Sequence, residues 1–220
     1  MHVRSLFAAL LVAAAPAAFA ADYSQAAGSS LKFEGSYQGE AFEGRFPGFG
    51  TAMRFDPAQL AGSRLDVAIP IASATTGSED YDGEMLGNAF FDAKKFPQAR
   101  YTATKFRALG GNRYAADGTL SLHGTTRPVT LAFTWTPGAR PVLDGKATVK
   151  RLDFGIGIGE WNDTSLIANE VTVTTKVVFA PKAAQPTKTQ PTKAATAAAS
   201  KGQSSSAPAA SSRSTGTRSP

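Results

Sequence analysis

Residues 151–161 read RLDFGIGIGEW, and residues 170–179 read EVTVTTKVVF. In the first stretch glycine occupies every second position after residue 154, which leaves one face of an extended segment almost without side chains. Backbone, a ligand or a neighbouring strand can approach closely on such a face. The surrounding apolar surface would come from Phe154, Ile156, Ile158 and Trp161, with a polar edge marked by Arg151, Asp153 and Glu160. These two stretches predict a ligand-holding β-barrel.

The same alternation continues through most of residues 21–181, a length that suits one domain with one core. Apolar residues recur at every second position and are interrupted by Gly, Pro, Asn and Asp, as in β-strands joined by turns. The alternating runs lie near residues 31–37, 42–46, 49–55, 65–71, 100–109, 114–122, 129–135, 145–152 and 170–179. We predict an all-β fold, an antiparallel barrel of about eight strands, because closure removes unpaired strand edges.

Residues 73–96 break this rhythm. The segment is acidic at first, then carries Phe90, Phe91 and Phe96, and it stops at Pro97. We predict a short helix at 79–86 followed by an irregular loop across one end of the barrel. This helix and loop segment would act either as a lid or as a plug.

The inward positions of the predicted strands are rich in aromatic residues. In a barrel of about eight strands such residues either fill the interior or surround a cavity for one apolar ligand, and periodicity does not separate these alternatives. The candidates for the apolar lining, including those of the irregular segments, are Phe33, Phe46, Phe55, Phe90, Phe91, Phe106, Phe133, Trp135, Phe154, Ile156 and Trp161.

The amino-terminal residues 1–20 have the pattern of a cleavable signal peptide. One basic residue, Arg4, precedes an apolar run that is too short to span a bilayer, and Ala18-Phe19-Ala20 forms a small-x-small cleavage site. An uncleaved membrane anchor is the alternative. We expect the mature protein to start at Ala21 and to be exported to the periplasm. Because the sequence has no cysteine, disulfides and thiol chemistry are excluded.

The basic character of the chain belongs to residues 182–220. This tail has six basic residues and no acidic one, whereas residues 21–181 carry 16 basic and 17 acidic residues. Ala, Lys, Pro, Ser and Thr dominate the tail, so we predict that it is disordered. It would serve as a solvated spacer or as a weak tether to an anionic membrane or cell-wall polymer. Nucleic acid is not an expected partner, since the tail lacks aromatic residues for stacking.

Catalytic and metal sites find little support in the sequence. After cleavage His123 is the single histidine, and its place in a turn favours a structural hydrogen bond over a catalytic relay. The acidic run 78–83 resembles a calcium loop, but Ser78 and Ala89 stand where carboxylates are required. Asp153 and Glu160 are more typical of a solvated edge than of a glycosidase pair. We expect neither enzymatic activity nor a metal.

Four stretches resemble the YceI-like family of periplasmic lipid-binding proteins. They are residues 44–46 with 55–56, residues 86–97, residues 118–129 and residues 151–155, and the third, GTLSLHGTTRPV, is the most specific. The resemblance extends over residues 22–180 and implies a lipocalin-like barrel around a long isoprenoid chain, such as a polyprenyl phosphate or a quinone tail. Residues 159–164 resemble a variant found in members associated with a membrane b-type cytochrome, which implies a redox-linked isoprenoid.

A polar or phosphorylated head of such a lipid would remain near the barrel mouth. The candidates for binding it are Arg45, Arg54, Arg127 and Arg151, because guanidinium groups pair well with phosphate. Three functions remain open at this point: a carrier of an isoprenoid lipid, an accessory subunit that presents a quinone to a cytochrome, and a filled barrel with a structural role. No cofactor is expected beyond a bound isoprenoid or quinone.

Overall fold

The alternating segments form ten antiparallel strands in a computed structural model that describes residues 21–182. They are β1 (Ala21–Gln25), β2 (Ser30–Tyr37), β3 (Glu40–Arg45), β4 (Gly50–Phe55), β5 (Arg64–Pro70), β6 (Gln98–Gly110), β7 (Arg113–Leu122), β8 (Thr125–Thr136), β9 (Val142–Lys150) and β10 (Glu170–Pro181). One α-helix, α1 (Glu79–Leu86), and short 3₁₀ turns complete the described part of the chain.

The strands close into a barrel. Their order is β1-β4-β5-β6-β7-β8-β9-β10-β2-β3, and β1 also pairs with β10. Strands β1 and β2 pair with different parts of β10 and so lie end to end along it. Their partners on the other side, β4 and β3, lie end to end in the same way. Each of these two pairs therefore fills one position, so the ten strands make an eight-position barrel. The predicted antiparallel barrel of about eight strands is confirmed.

Helix α1 lies where the sequence predicts a helix, and hydrogen bonds connect it to the loop that precedes it. The carboxylate of Asp82 accepts hydrogen bonds from the hydroxyl of Thr75 at 2.6 Å and from the hydroxyl of Thr76 at 2.8 Å. The Thr76 amide donates to it as well. Thr75 also forms a β-bridge with Arg45 at the end of β3. This bridge attaches the helix-bearing segment to the end of β3.

Residues 151–161 are not extended, so that part of the sequence prediction is wrong. Two 3₁₀ turns, Arg151–Phe154 and Gly159–Asn162, flank an irregular loop. Gly155, Gly157 and Gly159 have φ values of 68°, 64° and 69°. The glycines serve this left-handed backbone, which side chains rarely adopt, and not a flat packing face. Close approach occurs at Gly157, where an added Cβ would lie 2.7 Å from Arg151 Nη1.

One end of the barrel is filled by aromatic rings. Phe55 lies at the centre, with its ring centroid 4.9 Å from that of Trp135 and 5.1 Å from that of Tyr114. Phe55 and Phe179 are fully buried. We call this group the aromatic end cluster, which comprises Tyr23, Phe55, Phe106, Tyr114, Phe133, Trp135 and Phe179.

Two sequence predictions fall outside the described residues. These are the signal peptide, residues 1–20, and the basic tail from residue 183 onward. Within residues 21–182, no helix has the length and apolarity needed to cross a bilayer.

Candidate functional site

A cavity of about 670 Å³ occupies the half of the barrel beyond the aromatic end cluster. Its wall is formed by inward residues of nearly every strand, chiefly Leu, Ile and Val, and none of the seven rings of the aromatic end cluster contributes to it. Apolar cavities of several hundred Å³ are typical of sites that take one small molecule. The volume and the lining suit an elongated apolar ligand.

Within residues 21–182, the cavity reaches the surface between the β2–β3 hairpin and helix α1. Its exposed lining residues are confined to the β2–β3 hairpin and to helix α1: Tyr37, Glu40, Ala41 and Phe42 on the hairpin, with Tyr81 and Glu84 on the helix. Tyr81 is 66% exposed although it borders an apolar cavity. We call this opening the mouth. It lies beside β3, whose outer side is bridged only at Arg45 among the described residues.

Two glycines in the β2–β3 hairpin make room for the rings beside the mouth. Gly35 lies opposite Phe42, and a Cβ on Gly35 would approach the Phe42 ring to 2.6 Å. Gly44 lies opposite Phe33, whose ring covers it closely. The Phe33 and Phe42 rings contact each other edge to face, with centroids 6.5 Å apart. The glycines therefore allow the rings to lie flat against the sheet and leave the cavity open.

Arg151 is buried in the cap formed by residues 151–169, and it is not at a polar edge. Its side chain lines the cavity, yet the residue is only 4% exposed. All five N–H groups of the guanidinium donate to main-chain carbonyls. The acceptors are Ala168 at 3.2 Å, Ile156 at 3.0 Å, Gly157 at 2.6 Å, Trp161 at 2.8 Å and Ile167 at 2.9 Å. Burial lowers the pKa of this guanidinium.

This arrangement fixes the cap and removes Arg151 from ligand recognition. A guanidinium that donates every N–H to the protein has none left for a phosphate. Among the residues that the structure describes, no carboxylate forms an ion pair with it. The interpretation of Arg151 as a charge on a polar edge is therefore wrong.

Comparisons with known proteins agree with this architecture. The model of the YceI-like domain family matches residues 23–179. The chain belongs to the YceI-like family. A UPF0312 protein of Vibrio campbellii is 33% identical over 70% of this chain and 89% of its own length. Another UPF0312 protein, from Vibrio vulnificus, is 31% identical over 68% of this chain and 85% of its own.

Solved structures share the fold of this YceI-like domain. BcnA of Burkholderia cenocepacia is 34% identical, with a TM-score of 0.66 over 68% of this chain and 95% of that one. A polyisoprenoid binding domain of Saccharophagus degradans, implicated in plant cell wall breakdown, has a TM-score of 0.57 at 19% identity. The aligned region covers 74% of this chain and 99% of that domain. At 19% identity the match is evidence for a shared fold and for nothing more.

The predicted apolar lining of the YceI-like domain divides between its two halves. Six of the candidates line the cavity: Phe33, Phe46, Phe90, Phe91, Ile156 and Trp161. Four others, Phe55, Phe106, Phe133 and Trp135, belong to the aromatic end cluster instead. Phe154 belongs to the cap, where it is buried, and does not line the cavity. Because large rings pack one another in the filled end, aromatic character was a poor guide to the lining.

The residues that sequence reasoning missed are mostly aliphatic. Leu65, Val67, Leu131 and Val173 line the cavity from three different strands, β5, β8 and β10. Their period-two alternation was visible in the sequence, but nothing there distinguished them from core residues. Tyr101 also lines the wall and donates its hydroxyl to the carbonyl of Ala116 at 2.8 Å. Burial raises the pKa of Tyr101 to about 12.

The three other arginine candidates lie outside the cavity of the YceI-like domain. Arg54 pairs with Asp22, with 2.9 Å between Nε and Oδ1, on the outer surface. Arg45 and Arg127 are exposed, and neither lines the cavity. None of the four candidates therefore lines the cavity as a free cation.

His123 has a structural position. It adopts a left-handed backbone with φ of 50°, and its Nδ1 lies 2.9 Å from the carbonyl oxygen of Phe154. The Phe96 ring packs on it, with centroids 4.6 Å apart. His123 thus joins the β7–β8 turn to the cap. Across the described residues, no group of three or more His, Cys, Asp or Glu side chains is arranged to hold a metal ion.

Proposed function

We propose that this YceI-like domain binds one isoprenoid lipid inside its barrel and holds it for transport, storage or sequestration in the periplasm. The observation that carries the proposal is the apolar cavity, which opens at the mouth between the β2–β3 hairpin and α1. The polyisoprenoid binding domain of Saccharophagus degradans has the same fold, which makes such a lipid the first ligand to test. The amino-terminal pattern of residues 1–20 supports export.

The energetics suit a branched hydrocarbon chain. Each CH₂ moved from water into an apolar cavity contributes about 0.8 kcal/mol, so ten such groups contribute about 8 kcal/mol before the costs of association. Micromolar affinity needs a net gain of about 8 kcal/mol after those costs, so a chain longer than ten such groups is required. The tunnel would select mainly by length and cross-section, since most of its wall is apolar.

A cavity-blocking variant tests the proposal. Leu131→Trp places a large ring in the wall of the cavity, because Leu131 faces inward on β8. Ala132→Trp is the matched control, since the next residue along β8 is exposed on the outer face. Native protein should yield a stoichiometric isoprenoid in mass spectra of its organic extract, and so should Ala132→Trp. Leu131→Trp should fold but yield little.

Other results would redirect the interpretation. If all three proteins contained no lipid and added isoprenoids did not raise their melting temperatures, a structural barrel would replace the carrier. A quinone in the extract would favour the redox role that residues 159–164 suggest by resemblance. A membrane b-type cytochrome as partner stays a prediction, as does contact of the tail with an anionic surface.

A further inference from the structure

The wall of the barrel contains two buried polar atoms for which the described residues supply no hydrogen-bond partner. They are the hydroxyl oxygen of Thr51 and the side-chain carbonyl oxygen of Gln25. Thr51 lies on the inward face of β4 and lines the cavity, and the residue is 7% exposed. By contrast, the Thr175 hydroxyl in the same wall donates to the carbonyl of Ser30 at 3.1 Å. The Thr51 hydroxyl needs a different partner.

The two atoms belong to neighbouring residues. Ser24 pairs with Ala52 in the β1–β4 ladder, so the next antiparallel pair brings Gln25 opposite Thr51. Tyr23 points inward to Trp135, and side chains alternate along a strand, so Gln25 is on the inward side too. The amide nitrogen of Gln25 is already bound to the carbonyl of Phe49 at 3.0 Å. Gln25 does not line the cavity, so of the two residues only Thr51 can contact a ligand there.

The unpartnered hydroxyl of Thr51 is unfavourable without a ligand or solvent to satisfy it. A buried hydroxyl that finds no partner destabilises the fold, and valine has the same shape without that cost. Valine fills inward cavity positions elsewhere, for example Val67 directly opposite Thr51. Rotation of Thr51 about χ1 exchanges its hydroxyl and methyl group, so the hydroxyl can be turned toward a ligand in the cavity.

Thr51 lies near the beginning of β4, inside the barrel. It is four residues from Phe55 of the aromatic end cluster, which at about 3.3 Å per residue is roughly 13 Å along the strand. The mouth, by contrast, carries the exposed carboxylates of Glu40 and Glu84, for which no ion pair is formed within residues 21–182. The one basic residue of the lining, Arg151, donates all its N–H groups to carbonyls. The cavity therefore offers hydrogen bonds to a neutral group and no free cation to an anionic one.

We propose that the Thr51 hydroxyl is a polar subsite of the cavity that hydrogen-bonds a neutral oxygen of the ligand, such as a hydroxyl group. A ligand hydroxyl can accept from the Thr51 hydroxyl or donate to it. The ligand oxygen then lies inside the barrel against β4, and phosphorylated isoprenoids bind more weakly than neutral ones. This inference rests on the proposed function, because it assigns the ligand class of the same cavity.

Three probes with one branched C20 skeleton test it: phytane, phytanol and phytanyl phosphate. Their affinities are measured on the delipidated intact chain by displacement of a fluorescent fatty probe, for the native protein, Thr51→Val and Thr51→Ser. We expect phytanol to bind the native protein more tightly than the other two probes. Loss of one hydrogen bond in Thr51→Val should weaken phytanol by about threefold to tenfold. Phytane should be unaffected, and Thr51→Ser should retain the preference.

The outcomes separate this inference from the proposed function. If phytane and phytanol bind equally to the native protein and to Thr51→Val, the barrel is a lipid carrier and the polar subsite is wrong. Tighter binding of phytanyl phosphate than of phytanol would overturn the preference for a neutral ligand. If none of the probes binds although the protein is folded, the isoprenoid function itself is contradicted.

Discussion

The two halves of this barrel are built from the same strands, yet one half is filled and the other encloses a cavity. Along β8 the inward residues change from Trp135 and Phe133 to Leu131 and Val129, and along β10 they change from Phe179 to valines and Thr175. Residue size thus decreases from one end to the other while the period of two is kept. Period alone therefore sets which side chains face inward, and their volume determines whether the interior is closed.

The strongest test of this contrast is removal of the central ring of the aromatic end cluster. Phe55 contacts four other rings, so Phe55→Ala should lower the free energy of unfolding by about 3 to 5 kcal/mol. Phe91→Ala, at the cavity, should cost less than half as much, because that ring is only half-buried. Urea unfolding of both variants measures the difference. Equal losses would mean that the two ends are packed alike.

The cap over the cavity half should depend on Arg151. Arg151→Met leaves five carbonyls without their donor, so we expect a loss of about 2 to 3 kcal/mol. Hydrogen exchange should accelerate first in residues 155–168, while the strands of the aromatic end cluster stay protected. Arg127→Met, on an exposed position, is the control and should stay within about 0.5 kcal/mol. Uniform acceleration across the barrel would contradict a local role.

A smaller effect is expected where a glycine lies beneath a ring. In Gly44→Ala the new methyl displaces the Phe33 ring, which can move into the cavity, so the cost should be about 1 kcal/mol. The cavity should also shrink, which would lower the lipid content of purified protein. Gly50→Ala is the control, since nothing lies within 4 Å of an added Cβ there and its φ is not in the left-handed region. Unchanged lipid content in both variants would argue against Phe33 as part of the wall.

The smallest expected effect is the response of helix α1 to low pH. Hydrogen bonds from Thr75 and Thr76 hold the pKa of the Asp82 carboxyl below its ordinary value. A lowered folded pKa means that this stabilisation is present above about pH 4 and is lost as the pH falls through the folded value. Hydrogen exchange in α1 should therefore rise a few-fold at low pH, without a matching change around Phe55. Asp82→Asn should abolish the pH dependence, and its persistence would show that another group is responsible.

The sequence predicted the architecture well because alternation is a local property. Barrel, helix and strand positions follow from period and turn residues, and α1 occupies the predicted residues 79–86. The prediction of an extended segment at residues 151–161 failed because the conformation there depends on contacts between distant segments. The glycines at 155, 157 and 159 looked like a strand face, and only the carbonyls gathered around Arg151 show that they form a loop.

The sequence predicted the apolar character of the candidate site but not its boundaries. That the interior would be apolar followed from the inward residues, but the division into a filled and an open half depends on how ring volumes meet across strands. Phe55 and Phe33 both alternate with polar residues, yet one is in the aromatic end cluster and the other is at the cavity. The isolated Thr51 hydroxyl could not have been recognised, since a threonine on a strand is ordinary in any sequence.

The largely unpaired outer edge of β3 also affects whether two copies of the protein can pair edge to edge. Except at Arg45, the outer side of this strand lacks a strand partner among the described residues, so its main-chain groups could template growth of a sheet between copies. The strand is only six residues long and carries three charged residues, Glu40, Glu43 and Arg45. Short charged edges are poor sites for assembly. The strand edge beside the mouth is therefore a poor template for sheet growth between copies.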